Sequence, residues 1–310
     1  INSMIKYAKM LYEGDGIEQN KLKSSKYFKQ AADRGDVNSM IKYANMQYEG
    51  DGIQQNKVEA SKYFKQAADH GDDNSMIKYA KMLKEGDGIE PNRQESIQIF
   101  KQLADNGNCK AMFIYATMLK KGNGISRDKT KAMKYYKRAA DKGHINSMYN
   151  YALMMDYEDE EEDINDDDII RDKAEALRYY KLAADKGHVM SMFNYAFLLY
   201  EGYGVKMNKK EAYKYFKKAA DNGDLDSLVK CADMLYEGKG IKINKIEASK
   251  VYKLAADRGD TKAMFMYAKM LYEGNGIQQN KDDAVHYYKL AAENGNKDAI
   301  KFLANLKSEK

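Results

Sequence analysis

The sequence predicts an all-α solenoid built from antiparallel helix pairs, on three observations. All 22 glycines fall in three columns of one repeat. Apolar residues recur at helical spacing in two stretches of every repeat. The second stretch of each repeat opens on a column of Asn or Asp, the residues favoured at helix starts. Glycine confined so strictly marks backbone geometry, because it alone takes positive φ without strain. A period of this length is the signature of stacked repeats rather than of a globule.

The repeats are 1–36, 37–72, 73–108, 109–144, 145–188, 189–224, 225–260 and 261–296, followed by a terminal helix at 297–310. The fifth is 44 residues long because of an acidic insert, 158–168. A chain of 310 residues would suggest two domains, but the unbroken period argues for one continuous domain over 1–310. In the second repeat the first helix is expected from about Asn38 to Tyr48. Its buried stripe should be Met40, Tyr43, Ala44 and Gln47. The alanine recurs in every repeat (Ala8, Ala80, Ala116 and onward), as close helix approach requires. Gly50 should cap this helix, and Ile53 should anchor the loop.

The second helix should start at Asn56 and bury the pairs Tyr63/Phe64 and Ala67/Ala68. Glu59, three residues past the cap, is placed to reach back as in a capping box. Gly71 closes the unit. In the fifth repeat Asp172 keeps the cap and Ile169 the anchor, so the insert reads as a charged loop.

This unit resembles the Sel1-like repeat, a relative of the tetratricopeptide repeat. The motif A-x-x-L-Y-x-G-x-G-[IV] stands at Ala8–Ile17 and Ala268–Ile277. The motif A-x-x-[YF]-[YF]-K-x-A-A-x-x-G stands at Ala212–Gly223 and Ala284–Gly295. Departures are a tyrosine where the family often has glycine, no tryptophan in the aromatic pair, and the missing G-x-G of the fifth unit. The expected fold is therefore a right-handed α-solenoid superhelix of about seventeen helices. The resemblance implies an adaptor or scaffold that binds other proteins.

Composition narrows the function classes. There is no tryptophan, and 26 tyrosines and 19 methionines carry much of the apolar volume. Two cysteines, Cys109 and Cys231, sit in different columns and imply no disulfide. With no N-x-[ST] acceptor either, a cytoplasmic setting is expected. No apolar run approaches a membrane span. The chain opens at Ile1, in register and without methionine, as a piece of a longer protein would. Nine of the 47 acids crowd into 158–168, so 52 lysines and arginines face 38 acids elsewhere.

No constellation of a nucleophile, base or metal ligands is visible, so neither an enzyme nor a cofactor is expected. The G-x-G pairs lack the third glycine and preceding strand of a phosphate loop. His144 and His188 share a column by the glycine turn and read as solvated. A lysine stripe, Lys29 through Lys289, could track a phosphate backbone. An acid follows each lysine by four residues, which compensates it locally and argues against nucleic acid.

The outward face of the first helix is more informative. It is polar in the outer repeats, with Lys78, Lys81 and Lys230. In the central ones it carries Ile114, then Asn150, Leu153 and Tyr157, then Met190, Asn194 and Phe197. Clustered apolar residues on such a face suggest a groove for a partner. Asparagine amides can pair with a peptide main chain, and flanking lysines would attract an acidic or carboxylate end. The expected partner is a protein or peptide segment, acidic partners included, rather than a small molecule, nucleic acid or membrane. The alternative is the regulatory arm of a larger enzyme such as a protein kinase.

Overall fold

The computed structural model describes residues 1–156 and 172–308. The acidic tract 158–168, with Tyr157 and Ile169, lies outside them. Among the described residues there are seventeen α-helices and no strand.

The chain forms two compact units, Ile1–His144 and Ile145–Lys310. Unit 1 holds α1 (Asn2–Glu13), α2 (Lys21–Ala32), α3 (Val37–Glu49), α4 (Lys57–Asp69), α5 (Asp73–Glu85), α6 (Arg93–Asp105), α7 (Cys109–Lys121) and α8 (Lys129–Asp141). Unit 2 holds α9 (Ile145–Asp156), α10 (Lys173–Asp185), α11 (Val189–Glu201), α12 (Lys209–Asp221), α13 (Leu225–Glu237), α14 (Lys245–Asp257), α15 (Thr261–Glu273), α16 (Lys281–Glu293) and α17 (Lys297–Ser308). Within each unit every helix packs on the next one in sequence.

The helix ends follow the sequence. Asn56 accepts from the Glu59 backbone N–H at 2.9 Å, and Gly50 ends α3 in the left-handed region. The alanine column is fully buried in all eight repeats, from Ala8 to Ala268, while Ala304 of the terminal helix is exposed. At two of its positions a serine of the second helix donates to the alanine carbonyl: Ser24 to Ala8 and Ser96 to Ala80, each at 2.6 Å. Only a small side chain lets the two backbones come that close.

Four local expectations need correction. The buried face of the first helix is wider than the expected stripe. Met46, Met82, Met118 and Met270 are buried on it, whereas Gln47 is half-buried and donates to Tyr43 Oη at 2.7 Å. Each first helix meets both its own second helix and the neighbouring repeats, so one narrow stripe does not suffice.

The acid column is engaged mostly across repeats. Asp33 accepts from Tyr63, Asp105 from Tyr135 and Asp185 from Tyr215, at 2.5, 2.5 and 2.6 Å. Each pair is 30 residues apart. The i,i+4 lysine pairs form at Lys181–Asp185 and Lys253–Asp257, both 2.7 Å, while Lys29 reaches Glu59 of the next repeat at 3.1 Å.

Glu59 therefore does not reach back as a capping-box acid. In α6 and α16 the acid instead accepts from the cap side chain, Asn92 to Glu95 and Asn280 to Asp283.

The second glycine of G-x-G serves packing as well as φ. At Gly276 (φ 78°) a Cβ would lie 2.5 Å from the Lys245 carbonyl oxygen. The loop is laid directly on the preceding repeat's second helix, where no other residue fits.

Candidate protein-binding face

The first-helix face is built from two positions per repeat, three residues apart and so on one side of the helix. The loop that follows rests on the preceding repeat and adds a third position, the x of G-x-G.

In unit 2 these positions gather aromatic rings. Phe197 stacks on Phe193, with centroids 6.0 Å apart and planes 12° apart. Tyr203, 51% exposed, sits with its ring centroid 6.0 Å from that of Phe197. The Lys230 ammonium lies 5.9 Å from the Phe197 centroid and 5.4 Å from Tyr200, in cation–π range. Met190, one turn before Asn194, is 48% exposed.

Asn194 is only 8% exposed, and among the described residues its carboxamide has no hydrogen-bond partner. Its amide atoms are nevertheless not among the buried ones left unpartnered, so the carboxamide reaches the surface at its tip and is open to a partner there. Asn150 differs: its Nδ2 donates to Asn146 O, one turn back, at 2.8 Å, and the side chain is half-buried. Leu153 is half-buried. The aromatic run stops at Asp233, which accepts from Tyr252 at 2.6 Å and Lys262 at 2.5 Å.

In unit 1 the positions are more polar. Lys78 is exposed, donates to Asn45 Oδ1 and lies 5.0 Å from the Phe64 centroid. Lys81 and Ile114 line one cleft of about 230 Å³ together with Lys84 and Lys121.

The sequence did not single out Phe193, Tyr203, Lys84 or Lys121. A signal existed for Tyr203: the other G-x-G loops carry Asp, Asn or Lys at x, and only this one an aromatic.

The histidine column is corrected as well. His188 is half-buried, caps α11 by accepting from the Ser191 backbone N–H at 3.2 Å, and packs 4.7 Å from Tyr149. His144 is half-buried, 5.3 Å from Phe113. Burial lowers both imidazoles below their usual range, first among its causes. Cys231 is buried and its thiol is pushed up to about 12 by that burial, so it is inert at neutral pH. Among the described residues no cluster of His, Cys, Asp or Glu is placed to hold a metal ion. No described helix is long and apolar enough to cross a membrane.

Two solved structures are similar over nearly the whole chain. One is c5321, a protective antigen of uropathogenic Escherichia coli displaying an SLR fold. It has a TM-score of 0.74 and 23% identity, with 99% of this chain covered. The chain spans 64% of that antigen's length. The other is a Sel1 repeat protein from Oxalobacter formigenes, with a TM-score of 0.74 and 21% identity, covering 98% of this chain and 87% of that one. At such identities the likeness speaks for the helix-pair solenoid fold alone. No curated protein matches the chain. The Sel1 repeat model matches at residues 1–36, 37–72, 73–108, 109–144, 145–188, 189–224, 225–260 and 261–296, and the chain belongs to the Sel1 repeat family.

Proposed function

We propose that the chain is a protein-interaction scaffold that holds an extended partner segment along the first-helix face of unit 2. Asn194 is the observation that carries this reading. Its carboxamide, bonded to no described residue and open to solvent at its tip, offers a donor and an acceptor, the pair an extended main chain presents. Phe197, Tyr203 and Met190 supply apolar area beside it, and Leu153 extends that area by one repeat. Lys230 favours a segment with a carboxylate close to its apolar contact. Asn150, tied to its own helix, contributes its remaining acceptor. Lys78, Lys81 and Ile114 are the corresponding surface of unit 1. Repeat arrays of this family commonly serve as interaction modules, in keeping with the reading.

The test begins with capture of partners on the full chain, followed by affinity measurements on the best one. Phe197→Ala should cost about 1–3 kcal/mol of binding if the ring fills a desolvated site. Asn194→Ala should cost a similar amount, since the partner's main chain would lose its pair. Lys217→Ala, an exposed lysine of the second-helix stripe, should be nearly silent. Parent-like affinity in both groove variants would discard the assignment.

A further inference from the structure

Three clefts or patches border first helices within a single unit, and they differ in charge. Between α1 and α3 lies the larger cleft, about 690 Å³. Its Lys9 and Lys42 are matched there by Glu13 and Asp36, and the Lys42 ammonium sits 3.4 Å over the Tyr12 ring. Between α3 and α5, Lys78 is spent on Asn45 and the Phe64 face. Neither place is left with a clear excess of one charge.

The cleft between α5 and α7 is different. Lys81 and Lys84 on α5 and Lys121 on α7 rim it, against a single carboxylate, Glu85. Among the described residues none of the three lysines makes an ion pair. The floor is apolar: Phe100 and Met118 are buried, Phe113 and Ile114 half-buried. The one hydroxyl there is already used, since Thr117 Oγ1 bonds Phe113 O at 2.8 Å and Tyr136 Oη at 2.9 Å. The floor therefore has little to offer a polar group but welcomes carbon. A volume of about 230 Å³ exceeds the roughly 150 Å³ in which benzene is held, so one aromatic or large aliphatic side chain fits.

We infer that the α5/α7 cleft is a second docking site, selective for an acidic protein segment that inserts one bulky apolar side chain. The side chain fills the floor, and carboxylates on either side of it meet Lys81, Lys84 and Lys121. A purely polyanionic ligand would leave the apolar floor wet, and an apolar one would leave the three ammonium groups without partners. The inference does not need the unit 2 groove, which lies on other repeats.

The probe is a fluorescein-labelled peptide with a single phenylalanine between two runs of glutamate, titrated with the full chain by anisotropy. It should bind. Replacing its phenylalanine by alanine, or its glutamates by glutamine, should weaken binding about ten-fold or more. Ile114→Glu in the protein should do the same, as should the double reversal Lys84→Glu/Lys121→Glu. Lys26→Glu, on an exposed part of α2, should stay within about two-fold because it lies beyond the contact. Phe197→Ala should leave this peptide unaffected, which separates failure of this site from failure of the unit 2 groove. Helical circular dichroism checks each variant. If Ile114→Glu fails to fold, the double reversal, at half-buried Lys84 and exposed Lys121, and the peptide series still decide. The inference is overturned if the parent peptide does not bind, if the glutamine version binds equally, or if folded Ile114→Glu or Lys84→Glu/Lys121→Glu keeps parental affinity. Displacement by a single-stranded oligonucleotide at equal concentration would also overturn it, marking a general polyanion surface instead.

Discussion

One loop column does different work in the two units. In unit 1 it holds Asp15, Asn123 and two residues that stitch repeats together, Asp51 and Asp87. Each accepts from a tyrosine and a lysine of the preceding repeat: Tyr12 and Lys21 for Asp51, Tyr48 and Lys57 for Asp87, with both lysine contacts at 2.5 Å. In unit 2 the same column holds Tyr203, Lys239 and Asn275. Asn275 keeps the stitch in neutral form, donating to Tyr236 Oη at 3.1 Å. Lys239 turns to Glu237 at 2.5 Å. Tyr203 gives up the stitch and flanks Phe197. The buried layers beneath are alike in both units, so this position is free to serve either cohesion between repeats or the surface above them. Repeats two and three use it for cohesion, and repeat six uses it for an exposed aromatic ledge.

The comparison breaks first if the cores are not equivalent. Phe64 in α4 and Phe216 in α12 are both fully buried. Truncating either to alanine should cost about 3–5 kcal/mol, read from urea melts of the full chain by circular dichroism. A large inequality would mean that the units differ in more than their loops.

The loops come next. Asp87→Ala removes two charge-assisted or ionic contacts and should cost about 1–2 kcal/mol. Asn275→Ala removes one neutral bond and should cost under about 1 kcal/mol. Hydrogen exchange in the two helices each loop bridges measures both. Equal protection losses would erase the distinction between charged and neutral stitches.

The smallest effect is on pH dependence. Lys21 first, then Tyr12, hold the Asp51 carboxyl below its usual 3.8, and Lys57 and Tyr48 do the same for Asp87. A depressed carboxylate contributes stability above its unfolded value and loses it as pH falls through the folded one. In the other direction Asp51, by its hydrogen bond, raises Tyr12 to about 12. That contribution is whole below pH 10 and fades above it. Exchange around the Asp51 and Asp87 loops should therefore quicken below about pH 4 and again above about pH 10. The Asn275 loop should show no acid limb.

Much of this architecture can be read directly from the chain. Cap columns, glycine stops and the alanine column are local signals, and each fixes a helix end or a close approach within one repeat. What escaped the sequence crosses repeats. A lysine and an aspartate four residues apart suggest a pair, but Asp33 lies nearer in space to Tyr63, which only stacking reveals. The methionine column that includes Met46 was missed because the stripe was drawn for one helical partner, and the helix has several. The histidines looked solvated because a turn residue usually is, and only the tyrosine packed on His188 shows otherwise. At the binding face, Phe197 and Asn194 were visible by position. The near-complete burial of Asn194 and the basic rim of the α5/α7 cleft depend on how neighbouring helices lean together.

The cross-repeat bonds described above link residues 29 to 39 positions apart. Each repeat thus needs only its immediate successor to complete its polar contacts. Low separation of contacts favours rapid folding, and a linear array can nucleate at any point. During synthesis a repeat could dock once about forty further residues have emerged, at a rate of roughly 5–20 residues per second. The apolar faces of this methionine- and tyrosine-rich chain would then stand uncovered for only a few seconds each.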